Sequence, residues 1–384
     1  MAINDTQQKA PLVAELPASL PHRGTRLESL DALRGFDMFW IVGGATIFHS
    51  LHDIFKHPAT EWINNQLTHV EWEGFLPWDL IMPLFLFIVG VAMPFSFAKR
   101  LPAHGDSKTK LYHHILVRTA ILFVLGMAAQ GRLLTYDLSK LHIYCNTLQA
   151  IAAGYLITAV VLLNLRLVWQ VVVWVALLLA FWALMVLVPV PGYGAGVLSP
   201  DGNLAMYIDK LILGKFQDGT SYTWILSSIT FGATVLMGAF AGRWLRTNYS
   251  GFLKAMGLLT AAAVCLVVGQ VWAMPFPIIK HLWTSSFVLY SGGLSLALLG
   301  LFYLIIDVWG VRKWAFGFKV IGLNAIAVYM AAMLFDFRQI SNIFITGLDG
   351  HLGPWKDFVH VSAGFAALWL ILWWMYRKKT FIKI

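Results

Sequence analysis

Apolar residues run in long blocks along most of the chain, separated by short segments where charge, Gly and Pro collect. A helix needs about 20 predominantly apolar residues to cross a bilayer. Ten stretches come close to that length: 33–51, 76–98, 112–130, 143–163, 167–188, 223–242, 252–272, 283–306, 319–335 and 356–376. Lipid offers the backbone no hydrogen-bond partner, so blocks this long and this apolar are read as helices that satisfy themselves. The expected fold class is all-α, a polytopic membrane protein with ten transmembrane helices. Residues 1–25, polar and interrupted by Pro11, Pro17 and Pro21, read as a flexible cytoplasmic tail, and 26–384 as a single membrane domain.

Composition supports lipid as the main solvent. Of 384 residues, 59% are hydrophobic and only 12% charged, about half the charge of a soluble domain, and the mean hydropathy is +0.70. Charge placement then sets topology. With ten spans both termini share a side, and that side holds 19 of the 28 Lys and Arg, against 8 in the opposite loops and Arg118 within a span. The positive-inside rule makes both termini cytoplasmic. The net charge of +9 is thereby a topology signal, and no nucleic-acid partner is expected. Cys145 and Cys265 both lie in apolar segments and imply no disulfide framework.

Polar residues inside the spans are the first candidates for chemistry, because each costs about 2.5–3.5 kcal/mol on insertion scales when ionisable. They are Asp37, His49, Asp79, Arg118, Asn146, Gln149, Gln270 and Asn324. The plainer reading of any one is a hydrogen bond between helices; their number points to a shared cavity. The stretch 68–90, THVEWEGFLPWDLIMPLFLFIVG, places His69 in an outer loop and Asp79 at the start of a helix. Asp79 suits the positive end of the helix dipole, or it orients His69 as a carboxylate orients a catalytic imidazole. His69 is a solvated loop residue, a general base or an acyl acceptor. His49, His52 and His57 lack zinc-ligand spacing, so no metal is expected. There is no GxSxG, HExxH or P-loop, and GYGAG at 192–196 lacks the strand and helix of a nucleotide site. The Gly- and Pro-rich loop 189–222 either covers a site or merely connects.

Taken together, RLESLDALRGFDMFW (Arg26–Trp40), the HxxWxG loop at His69, NTLQAIAAGYL (Asn146–Leu156), PIIKHLWTSSF (Pro277–Phe287) and IGLNAIAVYM (Ile321–Met330) resemble the transmembrane acyltransferase family of heparan-α-glucosaminide N-acetyltransferase and its bacterial relatives. The resemblance runs in order from about 26 to 376. It implies an acyl group, acetyl above all, carried from cytoplasmic acetyl-CoA to an amino sugar or other saccharide across the membrane, with His69 as the catalytic histidine. It makes Arg34 and Arg118 candidates for the CoA phosphates, since guanidinium pairs bidentately with phosphate, with positive-inside anchoring as the plainer reading of Arg34. Asp79 then orients His69, while Asn146, Gln149, Lys280, Trp283 and Asn324 line the cavity; interfacial anchoring is the plainer role of Lys280 and Trp283. One departure is notable: where the family has an Asn late in the first helix, this chain has Gly44 and Ala45, so that contact is either missing or supplied from elsewhere, such as His49 or Asn324.

The expected function is a membrane acyltransferase of the bacterial inner membrane, with acyl-CoA, a saccharide acceptor and the bilayer as partners and homodimerisation open. The rival is a permease for a sugar or lipid-linked precursor, whose polar residues line a path; a scaffold with degenerate catalysis is the third reading.

Overall fold

The computed structural model describes residues 27–103 and 108–382; the expected tail, 1–25, lies outside the described residues. Among the described residues sixteen α-helices follow one another: α1 Glu28–Phe39, α2 Ala45–Phe55, α3 Pro58–Gln66, α4 Ile81–Ala103, α5 Lys108–Ala129, α6 Thr147–Asn164, α7 Leu167–Leu187 and α8 Leu204–Leu213, then α9 Ser228–Leu245, α10 Gly251–Trp272, α11 Ser285–Phe302, α12 Phe316–Gly322, α13 Ala325–Leu334, α14 Phe337–Ile345, α15 Asp349–Leu352 and α16 Lys356–Arg377. Among the described residues, β-pairing is limited to two isolated bridges, Glu73 with Ile279 and Val190 with Gly194. The all-α expectation holds.

All ten apolar stretches fall on helices. Among the described residues, seven helical segments are long and apolar enough to cross a membrane, or eight when a pair bent by 66° between Gly322 and Ala325 is one span. The other two stretches have visible reasons to differ. The first is interrupted between α1 and α2 by a widened π-type turn at Trp40–Gly44, where Gly43 leaves helical geometry (φ 157°, ψ −19°) against the ring of Phe365. The sixth becomes α9, rich in small residues and buried along most of its length.

α4, α6, α9 and α11 form the inner group, mostly buried, while α5, α7 and α10 expose aliphatic residues such as Val124, Val168 and Val267. That outward apolar surface is what lipid covers. Packing of the inner group depends on glycine. A Cβ on Gly238 of α9 would lie 2.0 Å from the Phe87 carbonyl oxygen of α4, and one on Gly90 of α4 would lie 1.9 Å from the Val235 oxygen of α9. The same reciprocity joins α1 to α12: a Cβ on Gly35 would lie 1.7 Å from the Phe318 oxygen, and one on Gly322 would lie 1.9 Å from that of Asp31. Such small-residue contacts let helix backbones touch where lipid removes the hydrophobic drive for association. Buried hydroxyls return to the backbone, as Ser291 does to the Phe287 carbonyl (2.6 Å) and Ser285 to that of Leu178 (2.7 Å).

The loop 189–222 is packed. Val190, Leu204 and Ala205 join Phe181, Leu226, Phe276 and Ile279 in a second apolar cluster. The Trp72 indole donates to the Leu198 carbonyl (3.0 Å), tying this loop to the segment that carries His69.

Candidate active site

Three loops on one face converge to build the site. The first follows α3, which His57 caps by accepting the Ala59 N–H through Nδ1 (3.2 Å). After Thr68 bonds back to the Asn65 carbonyl, the chain extends past His69. Gly74, in a positive-φ conformation (123°), donates to the Ile278 carbonyl at 2.9 Å. This lashes the His69 loop to the second loop, between α10 and α11. The third, residues 214–227, is fixed when Thr223 donates its N–H to the His281 carbonyl (3.0 Å).

Asp79 has two jobs, one for each carboxylate oxygen. Oδ2 accepts the N–H groups of Leu76 (3.1 Å) and Val70 (3.4 Å), which caps the short turn Pro77–Leu80 leading into α4. Oδ1 lies 2.7 Å from His69 Nδ1. One carboxylate oxygen thus caps the turn while the other contacts His69. Pro83 falls in the first turn of α4, where a missing N–H leaves nothing unpaired.

Lys280 completes the cluster. Its Nζ lies 3.2 Å from Asp79 Oδ1 and 3.0 Å from His69 Nδ1. An ammonium has three donors and no acceptor. A lone pair on Nδ1 would face the carboxylate at 2.7 Å, so the favourable tautomer carries the proton on Nδ1 and donates it to Asp79. Lys280 then gives its hydrogens to the same carboxylate. Nε2 keeps a lone pair, and the imidazole is 45% exposed beside a cavity, whereas Asp79 and Lys280 are almost wholly enclosed. Burial pulls Lys280 down to about 8, against the opposing pull of Asp79. The neighbouring His281 is pushed down to about 4, by burial first and then by the Lys280 charge, and so stays neutral near pH 7.

The cavity measures about 580 Å³, within the range of small-molecule sites. His69, Lys280, Trp78 and Tyr222 form one part of its wall, and Gln130, Arg132, His142 and Asp218 contribute another. Ile41, Phe85 and Met333 supply its apolar lining.

The remaining expected site residues divide plainly. Asn146 caps α6, accepting the Leu148 N–H (2.7 Å), and donates to Gln130 Oε1 (2.5 Å) and the Tyr329 hydroxyl (2.9 Å). It braces two wall residues from behind. Gln149 accepts the Cys145 N–H (2.9 Å) and donates to the Ile143 carbonyl, so both ends of its amide serve the backbone. Trp283, at φ 55°, hands its indole proton to Thr234 (3.0 Å) and anchors the turn that presents Lys280. Asn324 holds the C-terminal segment through Ile382 N–H (2.9 Å), and His49 pairs with Asn64 (2.5 Å); neither lines the cavity. Arg34 sits by Asp31 (3.5 Å) and Arg118 lies over the Tyr155 ring (4.6 Å to its centroid), both away from the cavity wall. Tyr222, Asp218, Arg132 and His142 went unnoticed in the sequence, since their loops carry no periodic or motif signal.

No group of His, Cys, Asp and Glu among the described residues has metal-ligand geometry. No family model matches the chain. Among curated proteins it is similar to heparan-alpha-glucosaminide N-acetyltransferase from Homo sapiens, 25% identical over 426 residues, covering 94% of this chain and 60% of that protein. The same enzyme from Mus musculus is 25% identical over 441 residues, covering 97% and 63%. The chain is a distant relative of these N-acetyltransferases. It spans about 60% of the length of the curated relatives it matches.

Proposed function

We propose that this membrane protein is an acyltransferase that moves an acyl group, acetyl in the simplest case, from acyl-CoA to an amino sugar or related saccharide. The observation that carries this reading is the His69–Asp79 pair on the wall of a cavity large enough for a small acceptor and the end of a thioester, with Asp79 at Nδ1 leaving Nε2 for the substrate. In the proposed reaction, the acceptor nitrogen attacks the thioester carbon while Nε2 takes its proton. The carbonyl then re-forms, the C–S bond breaks, and the thiolate recovers the proton from Nε2 to leave as the CoA thiol. Asp79 fixes the Nδ1–H tautomer and stabilises the imidazolium between the two transfers. Lys280 balances the carboxylate so that it stays ionised.

The distribution of Lys and Arg supports cytoplasmic termini, which would put the His69 mouth on the extracytoplasmic side. Acyl donor arriving from the cytoplasm would then meet the basic face that includes Arg34. At the cavity itself, Arg132 is the guanidinium suited to a phosphate or other acidic group.

The test uses the full chain in lipid nanodiscs with acetyl-CoA and glucosamine, following release of free thiol. Wild type should release thiol only when both are present, and His69→Ala should reduce release about 10²–10⁴-fold while acetyl-CoA still binds. Equal release by wild type and His69→Ala sinks the reading. Movement of labelled glucosamine into proteoliposomes without CoA would establish the permease instead.

A further inference from the structure

The acyl-transfer reading leaves one charge unaccounted for. As the acceptor attacks, the thioester oxygen becomes negative, and a low-dielectric cavity makes an unanswered oxyanion costly. Lys280 also lines the cavity, but its charge is already balanced by the Asp79 carboxylate. Neither His49 nor Asn324 lines the cavity.

Tyr222 is held in place through His281. Its ring stacks on that of His281, with centroids 4.1 Å apart and planes at 21°. Ser221 Oγ lies 2.7 Å from His281 Nδ1, and Thr223 donates to the His281 carbonyl, so the residues flanking Tyr222 are both tied to its stacking partner. Trp72 packs edge-on against the same imidazole at 5.2 Å. A ring held this way loses little freedom when a ligand arrives.

Its hydroxyl has no hydrogen-bond partner among the described residues. Tyr329, also on the cavity wall, differs: its hydroxyl accepts from Asn146 (2.9 Å). Tyr222 nonetheless lines the same cavity as His69 and Lys280. A rigid ring with an unsatisfied O–H on a binding cavity is a donor waiting for a ligand oxygen.

We infer that Tyr222 is a catalytic residue of the proposed acyl transfer, its hydroxyl donating a hydrogen bond to the thioester carbonyl oxygen as that oxygen becomes an oxyanion. Tyr222 keeps its proton throughout. The acceptor nitrogen forms the new bond to carbon, the carbonyl π pair moves to oxygen under the Tyr222 O–H, and its return expels the thiolate. Burial, with the Asp79 charge added, pushes the phenol up to about 12, so it remains a donor across the neutral range.

This inference rests on the acyltransferase reading, and the experiment separates the two. Thiol release by the full chain in nanodiscs is measured over a range of acetyl-CoA and glucosamine concentrations for wild type, Tyr222→Phe and His281→Ala. Tyr222→Phe keeps the ring and its stack, so its thermal midpoint and acetyl-CoA binding should match wild type. Its kcat should fall about 10²-fold, as loss of one oxyanion donor does, with KM for both substrates within threefold. His281→Ala keeps the hydroxyl and loosens the ring, giving a smaller loss of kcat. A Tyr222→Phe enzyme with near wild-type kcat overturns the inference, as does a loss found wholly in KM, which would make Tyr222 a ground-state contact. Absence of thiol release from wild type itself overturns the underlying reading as well.

Discussion

Lys280 Nζ meets Asp79 Oδ1 at 3.2 Å across 201 positions of sequence. The contact depends on backbone pairing between their loops, through Gly74 N–H to the Ile278 carbonyl and the bridge of Glu73 with Ile279. The ion pair is almost fully enclosed. Enclosed charges gain from each other only when both are present, and removal of one partner strands the other. The pair therefore fixes both the shape and the charge of the surface behind His69.

Turnover and stability should respond to pH in opposite directions. Lys280 is drawn from an ordinary 10.5 to about 8, with burial the larger influence. Between these values the unfolded chain binds a proton that the folded protein has released, so this group adds stability as pH rises through the window. Turnover should instead decline above about pH 8, as the ammonium opposite Asp79 is lost. Lys280→Arg, whose guanidinium does not deprotonate, should move that alkaline limb upward. The check is kcat/KM and thermal midpoint measured across pH 7 to about 10.5; a limb at the same pH in both proteins would remove Lys280 from the explanation.

Asp79→Asn should keep the cap of α4 but strand the enclosed Lys280, so a lower thermal midpoint is expected beside the loss of turnover. An amide can still cap the start of α4, but it lacks the charge that stabilises an imidazolium at His69. The expected loss is on the order of 10²–10⁴ in kcat, with acetyl-CoA binding retained. Isothermal titration with acetyl-CoA, run beside thiol-release kinetics, distinguishes this from simple unfolding. If binding and turnover fall together, Asp79 is chiefly a structural cap.

Much of this architecture is legible in the sequence, because a bilayer imposes a length rule on apolar blocks. The rule falters where residues do more than cross. Gly43 interrupts the first stretch, and Asn324 stands at the bend of the ninth, holding the C-terminal segment. His69 and Asp79 were readable together because ten residues of loop and turn join them. Lys280 was visible only as a cavity candidate. Asn146, Gln149 and Trp283 stood out as polar or aromatic positions near apolar blocks, yet each turns out to brace backbone or neighbouring side chains. Tyr222 could not be found that way. Its significance comes from a stack with His281, 59 positions later, and from an unpaired hydroxyl, neither of which leaves a mark in local pattern.

Asp209 should prove a remote support for the site. Its carboxylate accepts the N–H groups of Trp224 (2.7 Å) and Ile225 (2.9 Å), fixing the segment that follows Tyr222. Asp209→Ala leaves two enclosed donors unsatisfied, at about 1–3 kcal/mol each, and should lower the thermal midpoint. Burial raises Asp209 to about 6 despite those two bonds. Between 3.8 and about 6 the folded state holds a proton that the unfolded chain has lost, so this group's contribution falls as pH rises through that window. Asp209→Asn should recover part of the stability and erase that slope. A midpoint unchanged in Asp209→Ala would show that water replaces the carboxylate without loss.

The α4–α9 contact offers the clearest test of the scaffold. Gly238 and Gly90 face carbonyl oxygens of the opposite helix, where an added Cβ would fall 2.0 Å from Phe87 and 1.9 Å from Val235. Backbone cannot yield as a flexible side chain does, so either substitution must push the helices apart. Overpacking of this kind costs about 1–3 kcal/mol. Propensity alone argues the other way, since Ala favours a helix over Gly by about 1 kcal/mol. Gly238→Ala should therefore lower the thermal midpoint despite the better helix former, and Gly90→Ala should do the same. Because both glycines open the same gap, the double variant should be less destabilised than the two losses added together. A Gly347→Ala control, at a position with nothing near its added Cβ, should leave the midpoint almost unchanged. If Gly238→Ala stabilises the protein in nanodiscs, the close approach of α4 and α9 is wrong.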